Sequence, residues 1–245
     1  TRDYDIIHLN SSMSGFLGRL AAFGLRKKIF YTAHGWVFNE ILSAPWRWFY
    51  LQLEKLAVPL STRIFCLSKL DYSQVKKYHL GPSHRFRLLP NSLDLKKTSR
   101  LAIQPISPSA NNFFKHLTVW KQKKYYIVGT IANFFPAKNL FQLIPIAQQL
   151  NRLTKNRVRY VIVGFGPQQN RFQQLLRYHH LESLFLLTGQ QANPLPWLAK
   201  FAVFVLPSTK EGFPFALLEA GILGIPIVAS PVGGIVDLII DQKTG

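Results

Sequence analysis

Acidic residues and sulfur are scarce in this chain: 245 residues hold 11 Asp and Glu against 30 Lys and Arg, with one cysteine and one methionine. A lone thiol, Cys66, excludes an internal disulfide and fits a reducing compartment such as the cytoplasm. Metal-ligand spacing is also missing. His179 and His180 are adjacent rather than four apart, so no metal site is expected. No apolar run reaches the roughly 18–20 residues that a membrane-spanning helix needs. The opening residues lack the charged, apolar and small-residue succession of a secretory signal. There is no internal repeat at a solenoid period. The shortage of acid leaves a net charge of +19. That balance suits a solvated basic surface, an anionic membrane or a nucleic acid. A nucleic-acid module would interleave aromatic with basic residues or carry glycine-rich signatures, and neither pattern is present.

What is present is enough for one or two cores, with 48% hydrophobic and 13% aromatic content. Apolar strands alternate with helical patterns, so the expected fold class is α/β with parallel sheets. Strands are expected at 5–9, 28–33, 63–67, 86–90, 126–132, 158–163, 184–188, 202–206 and 226–230. Helices are expected at 14–24, 45–58, 69–78, 139–153, 168–178, 194–199 and 214–223. Between the two halves, 98–124 is polar and then Lys-rich, and reads as loop and linker. Charge divides unevenly there. Residues 1–124 hold 20 Lys and Arg against 6 Asp and Glu, a net of +14, and the remainder carries +5.

Residues 44–60 combine Trp46, Trp48, Phe49 and Tyr50 with Arg47 and Lys55, a mixture found on interfacial helices. Trp48, Leu51, Leu56, Phe49 and Leu53 can equally form one inward stripe, and a packed core helix is the expectation.

The most informative stretch is 206–234, LPSTKEGFPFALLEAGILGIPIVASPVGG. An apolar strand runs into a Pro-Ser-Thr loop bearing Glu211, then a Gly-Phe-Pro hinge, then an apolar helix opened by Pro214 with Glu219 in its second turn. The N–H groups around Phe213, Pro214 and Phe215 lie at a helix N-terminus, where backbone donors and the dipole favour phosphate. Two carboxylates beside an anion hole suit a sugar nucleotide, with hydroxyls on the glutamates and the diphosphate at the helix end. Taken by spacing alone, Glu219 could instead be a surface residue. Leu217, Leu218, Ala220, Ile222 and Leu223 crowd it, so a partly buried carboxylate is expected.

The motif and its flanks resemble the retaining glycosyltransferases of family 4, which have the GT-B architecture of two facing Rossmann-like domains. GTIANFFPAKNL (129–140), YVIVGFGP (160–167), FVLPSTKEGFPFALLEAGILGIPIVAS (204–230) and PVGGIVDLI (231–239) resemble the donor half. HLNSSMSGFLGRLAA (8–22), KIFYTAHGW (28–36), RIFCLSKLD (63–71) and RLLPNSLD (87–94) resemble the acceptor side. The resemblance implies a partial acceptor-side domain over 1–105, a loop and linker over 106–124 and a truncated donor domain over 125–245. It also implies a fragment, with one or two βα units and their glycine-rich loop missing in front and further helices missing behind.

By the same resemblance Glu211 would face donor-sugar hydroxyls and Glu219 would hold the ribose. Gly212, Phe213 and Pro214 would present backbone to sugar and phosphates, with Gly164 and Gly166 beside the nucleotide. Lys138 would neutralise the diphosphate. Its usual basic companion is Asn133 here, and the acid common between the two glycines is Phe165. His34, at a strand end, would sit near the reacting centre. Ser12 and Gly15 fall in a small polar loop suited to acceptor contact, although Ser12 could equally cap a helix. No cofactor is implied beyond the nucleotide sugar as substrate. The expected reaction is metal-independent transfer from a nucleotide sugar, UDP being the commonest donor, to a saccharide or lipid-linked saccharide of the cell envelope. The enzyme would be cytoplasmic, with peripheral contact to an anionic membrane left open. Alternatives are a sugar-nucleotide epimerase of the same architecture, a degenerate non-catalytic relative and a basic nucleic-acid-binding protein.

Overall fold

A computed structural model of the chain describes residues 4–40, 42–105 and 111–245. The backbone forms two compact units: Thr1–Asn91 with Lys210–Pro214 and Gly233–Leu238, and Ser92–Thr209 with Phe215–Val232 and Ile239–Gly245.

In the first unit, strands β1 (Ile6–Asn10), β2 (Lys28–Ala33), β3 (Arg63–Cys66) and β4 (Phe86–Leu88) form a parallel sheet in sequential order. Helices α1 (Ser12–Ala21), α2 (Ala44–Ala57) and α3 (Lys69–Lys77) connect them. Right-handed crossovers between strands in sequential order place all three helices on one face of the sheet. Asn10 pairs with Thr32, and Ala33 with Cys66, so the C-terminal ends of the first three strands are aligned. The core beneath the helices holds Tyr31, Trp36, Phe38, Ile64, Cys66 and Phe86. The Trp36 indole N–H donates to the Asp71 carbonyl at 2.9 Å. Ser68 caps α3 by accepting from the Asp71 N–H at 3.0 Å, while its hydroxyl donates to the Asp71 carboxylate at 2.7 Å.

Helix α2 is turned differently from the expected inward stripe. Leu51 of that stripe does pack against the core, but Trp48, Phe49 and Leu56 are exposed, and the fully buried positions are Glu54 and Ala57. The cause is an ion pair. Arg19 of α1 is fully buried and donates to Glu54 at 2.9 Å, donates through Nε to the Gly15 carbonyl at 2.8 Å, and lies 4.3 Å over the Tyr31 ring. An apolar count along α2 ranks tryptophan above glutamate for burial and so misses a charge whose partner sits 35 residues away.

In the second unit, β5 (Tyr126–Ile131), β6 (Val158–Val163), β7 (Phe185–Gly189), β8 (Val203–Leu206) and β9 (Ile227–Ala229) form a parallel sheet in the order β7-β6-β5-β8-β9. The order reverses between β5 and β8, the switch point beyond whose strand ends open α/β sheets bind ligands. Around it lie α6 (Leu143–Leu153), α7 (Gln169–Tyr178), α8 (Leu195–Leu198) and α9 (Phe215–Ile222). Phe134, Phe172, Phe185 and Tyr160 form a chain of ring contacts through the core, with centroids 4.7–5.7 Å apart.

All nine expected strands are present, and the α/β class with two Rossmann-like parallel sheets stands. Three differences occur among the helices. The stretch read as loop over 98–124 includes most of α4 (Leu95–Ala102) and all of α5 (Asn111–Gln122), while 106–110 lies outside the described residues. Asp94 caps α4 by accepting from the Lys97 N–H at 2.9 Å, and α5 buries Leu117 and sets Phe114 edge-on to Trp197 at 5.7 Å. Polar composition hid helices that need only one narrow apolar face. The helix expected from 139 starts at 143, because Asn139 takes φ 51° between the 3-10 turns Pro136–Lys138 and Leu140–Gln142. A short α10 (Ile235–Leu238) was not anticipated. Among the described residues no helix is long and apolar enough to cross a membrane.

Candidate functional site

In the second unit, two loops at the strand ends lie against each other. Gly164 follows β6 with φ 152°, and a Cβ there would come within 2.2 Å of the Ala132 carbonyl oxygen. At Gly166 a Cβ would sit 2.7 Å from the Phe134 nitrogen. These glycines therefore permit loop-to-loop contact inside the chain, closed by Phe134 N–H to Phe165 O at 3.2 Å and Gln168 N–H to Phe134 O at 3.1 Å. Asn133, where the family places a basic residue, turns its Oδ1 toward the Phe165 N–H at 3.5 Å. Phe165 stands exposed at the tip. Lys138 ends the 3-10 turn Pro136–Lys138, ahead of α6. Thr209 donates its N–H to the Ala137 carbonyl at 2.8 Å, which ties this loop to the one leaving β8 across the switch point.

Glu219 occupies the fifth position of α9, half-buried between the buried Leu217 and Ala220. Burial pushes its carboxyl above the ordinary 4.5. The folded chain then retains this proton over a range where the unfolded chain has released it, so Glu219 lowers stability as pH rises through that range. Replacement by glutamine is expected to raise Tm at pH ~7.5 and to leave it nearly unchanged at pH ~4. Thermal melts at the two pH values check this, and an equal shift at both would contradict it.

In the first unit, the segment 210–214 is held by backbone contacts that only glycine allows. Gly233 has φ 56°, and a Cβ there would fall 1.7 Å from the Glu211 carbonyl oxygen. The Gly234 N–H donates to the Gly212 carbonyl at 2.7 Å, and Asn91 Nδ2 donates to the Phe213 carbonyl at 2.7 Å. Lys210 forms an ion pair with Glu40. Gly212 lies so close to the His34 carbonyl that a Cβ would be 2.8 Å from that oxygen. Glu211, Gly212 and His34 are thus neighbours at the aligned strand ends.

His34 Nε2 lies 3.1 Å from Asn10 Oδ1, so this nitrogen carries the proton and donates. Burial, with a smaller effect of His8, lowers the His34 pKa below 6.5 and keeps the ring neutral at neutral pH. The neighbouring small loop is built differently from its expectation. Gly15 is buried against the Tyr31 ring, where a Cβ would be 2.4 Å from Cε2, and presents no open face to a ligand. Ser12 is the first residue of α1 and does not cap it; Ser11, with φ 68°, holds the preceding position and makes no side-chain cap bond.

Asn10, Asn91 and Thr209 were not singled out from sequence. Asn10 shares the signal that marked His34, a polar residue at the C-terminal end of a strand. Asn91 and Thr209 gain meaning only from contacts made after folding.

A family model described as "Glycosyl transferases group 1" matches residues 113–245, and one described as "Glycosyltransferase Family 4" matches residues 1–97. The chain belongs to glycosyltransferase family 4. It is 31% identical over 242 residues to the Escherichia coli UDP-Gal:alpha-D-GlcNAc-diphosphoundecaprenol alpha-1,3-galactosyltransferase, covering 94% of this chain and 59% of that one. Among solved structures, Anabaena HepE in complex with UDP and glucose superposes with a TM-score of 0.77 at 21% identity, over 97% of this chain and 62% of that one. The Thermosynechococcus elongatus sucrose-phosphate synthase gives 0.77 at 21% identity, over 99% and 60%. These likenesses support the GT-B fold. This family 4 chain spans about three fifths of the length of the proteins named.

Proposed function

We propose that the protein is a retaining glycosyltransferase that moves a sugar from a UDP-linked donor to a saccharide or lipid-linked saccharide acceptor in cell-envelope polysaccharide synthesis. The observation that carries this reading is Glu211, fixed by its Gly233 contact beside Gly212 and a neutral His34. The Escherichia coli relative supports it, being named for a UDP-Gal donor and a diphosphoundecaprenol acceptor. HepE supports the choice of base through its complex with UDP and glucose.

In this reading Glu211 accepts hydrogen bonds from donor-sugar hydroxyls, and Glu219 accepts from the ribose. Their carboxylates bind and do not attack, in contrast to the nucleophile of a retaining glycosidase. The acceptor hydroxyl attacks the anomeric carbon on the face from which the diphosphate leaves, and the departing oxygen takes the acceptor proton. Lys138 and the N-terminus of α9 stabilise the charge that develops on the diphosphate. Gly212, Phe213 and Pro214 present backbone to the donor, while Asn133, Gly164 and Gly166 shape the loop beside the nucleotide. A neutral His34 hydrogen-bonds a sugar hydroxyl without adding charge. Ser12 faces the acceptor side. No metal or cofactor is required beyond the nucleotide sugar, and the protein works in the cytoplasm in peripheral contact with the membrane.

Calorimetric titration with UDP, GDP and ADP tests the reading. UDP is expected to bind, and Glu219→Ala to weaken it ~10–100-fold, the worth of hydrogen bonds to a charged acceptor. Silence toward all three nucleotides would overturn it.

A further inference from the structure

A polar cavity lies at the opposite end of the second sheet from the glycine loops. It measures about 480 Å³, within the range of small-ligand sites, and sits between the C-terminal ends of α6 and α7 and the start of β6. Gln148, Arg152, Asn156, Arg159, His179 and His180 line it, and no acidic side chain does among the described residues. Glu182, exposed on the adjoining 3-10 turn Glu182–Leu184, is the acid nearest in sequence. The walls are held by the chain itself. Asn151, 4% exposed, ties α6 to β6 by accepting from the Val158 N–H at 3.3 Å and donating to the Ala147 carbonyl at 3.2 Å. Between them the backbone turns through left-handed Lys155 and Asn156, with φ 51° and 61°, and the Asn156 N–H donates to the Asn151 carbonyl at 2.8 Å. On the α7 side His180 takes φ 55°, and the Leu181 N–H closes the helix on the Leu176 carbonyl at 2.9 Å. Gln148 donates to His179 Nδ1 at 3.3 Å, which puts the proton of the neutral ring on Nε2. Arg159 is fixed most firmly. Its guanidinium lies 3.8 Å from the centroid of the Tyr125 ring, and Nη1 donates to the Asn156 and Val158 carbonyls at 2.9 and 2.8 Å. Nε and Nη2 remain, and among the described residues they meet no protein acceptor.

We propose that this cavity binds a phosphate group, free or carried on a small metabolite, at a site separate from the donor loops. Two guanidiniums supply planar forks of N–H donors matched to phosphate oxygens, and His179 Nε2–H, Gln148 and Asn156 add neutral donors for further oxygens or hydroxyls. A cation at Arg152 is ordinary, because the last turn of α6 attracts positive charge. Arg159 belongs to a strand and complements no helix end. Lys123, Lys124, Lys155 and Arg157 stand exposed in the turns that lead into β5 and β6. Like charges gathered at one end of a sheet repel one another in the folded chain, and a bound anion relieves that repulsion. A cationic ligand would add to it, and an uncharged one would leave both guanidiniums uncompensated. β6 spans six residues, so roughly 20 Å of strand separates this cavity from the loop of Gly164 at the far end. A phosphate here is therefore not the diphosphate of the donor, and the site does not depend on the function proposed above.

Proton–nitrogen correlation spectra of the labelled chain, titrated with pyrophosphate at constant ionic strength, test the proposal. Amide shifts are expected within 154–159 and 179–184. Arg152→Gln/Arg159→Gln is expected to weaken binding about tenfold or more, the loss that follows when charge-assisted bonds are removed. Arg152→Gln alone alters an exposed side chain and keeps the contacts of Arg159, so it should fold as wild type does and still weaken binding about threefold. Shifts confined to 133–138, 164–166 and 210–215 would place the anion at the donor loops and overturn the site. Equal affinity in wild type and both variants would overturn it as well. So would equal shifts from sodium chloride at the same ionic strength, which would reduce the cations to screened surface charge. Inorganic phosphate, glucose 6-phosphate and glucose in parallel titrations identify the source. Tighter binding of the sugar phosphate than of phosphate assigns a phosphorylated metabolite, and equal binding of the two assigns the free ion. Glucose bound as tightly as its phosphate would contradict a phosphate site.

Discussion

Arg19→Met is expected to destabilise the first unit by about 3–5 kcal/mol, the usual cost of leaving one member of a buried ion pair behind. Arg19 is wholly buried, and the Glu54 side chain is 7% exposed. Even with its partner in place, burial raises the Glu54 pKa above 4.5. Without Arg19 the carboxyl must fold protonated, and the loss in stability grows as pH rises through the range where the unfolded chain ionises. The double variant Arg19→Met/Glu54→Met removes both charges and is expected to recover most of the loss, since an apolar pair of similar volume packs without a desolvation cost. Urea denaturation of the three proteins at two pH values separates these outcomes. A single variant as stable as wild type would mean that the pair does not fix α2.

Under the function proposed above, the second large effect is on turnover. Gly233→Ala is expected to lower kcat/KM about 100-fold or more and so to match Glu211→Ala, because a preorganised binding group displaced from its place is worth about as much as one removed. The alanine Cβ would meet the Glu211 carbonyl at 1.7 Å from a backbone with φ 56°, so the segment bearing Glu211 must shift. The rest of the chain has no reason to unfold. Far-UV circular dichroism is expected to be unchanged, and nucleotide affinity to change less than turnover. Wild-type turnover in Gly233→Ala would show that the glycine does not position Glu211. Glu211→Gln is the intermediate case: it keeps the shape, loses the charge and should retain part of the activity.

Much of the fold was legible because strands such as β2 and β6 bury most of their residues and read as apolar runs bounded by loops. The helices were less so. Those with wide apolar faces, α6 and α9, declared themselves, whereas α4 and α5 carry narrow apolar stripes in polar sequence. Helix α2 was found but turned wrongly, since its orientation is set by Arg19, a residue outside it. At the candidate site, Glu211, Glu219 and His34 stood out through a local motif or a strand end. Their neighbours did not. The reason Gly233 must be glycine lies 22 positions upstream at Glu211, and the anchor of His34 is Asn10 on a different strand. Local patterns reveal elements, and only the folded backbone shows which loop ends share a place.

The segments 210–214 and 233–238 belong to the first unit although they follow most of the second in sequence. A ribosome making this chain therefore releases the four strands of the first sheet long before the residues that complete the surroundings of His34. During that interval the first unit exists without Glu211, and it acquires its carboxylate only after the second unit's five-stranded sheet has been almost wholly synthesised. Assembly of the segment 210–214 against the His34 backbone thus becomes a late event in biosynthesis, and a nascent chain stalled before Lys210 holds His34 without it.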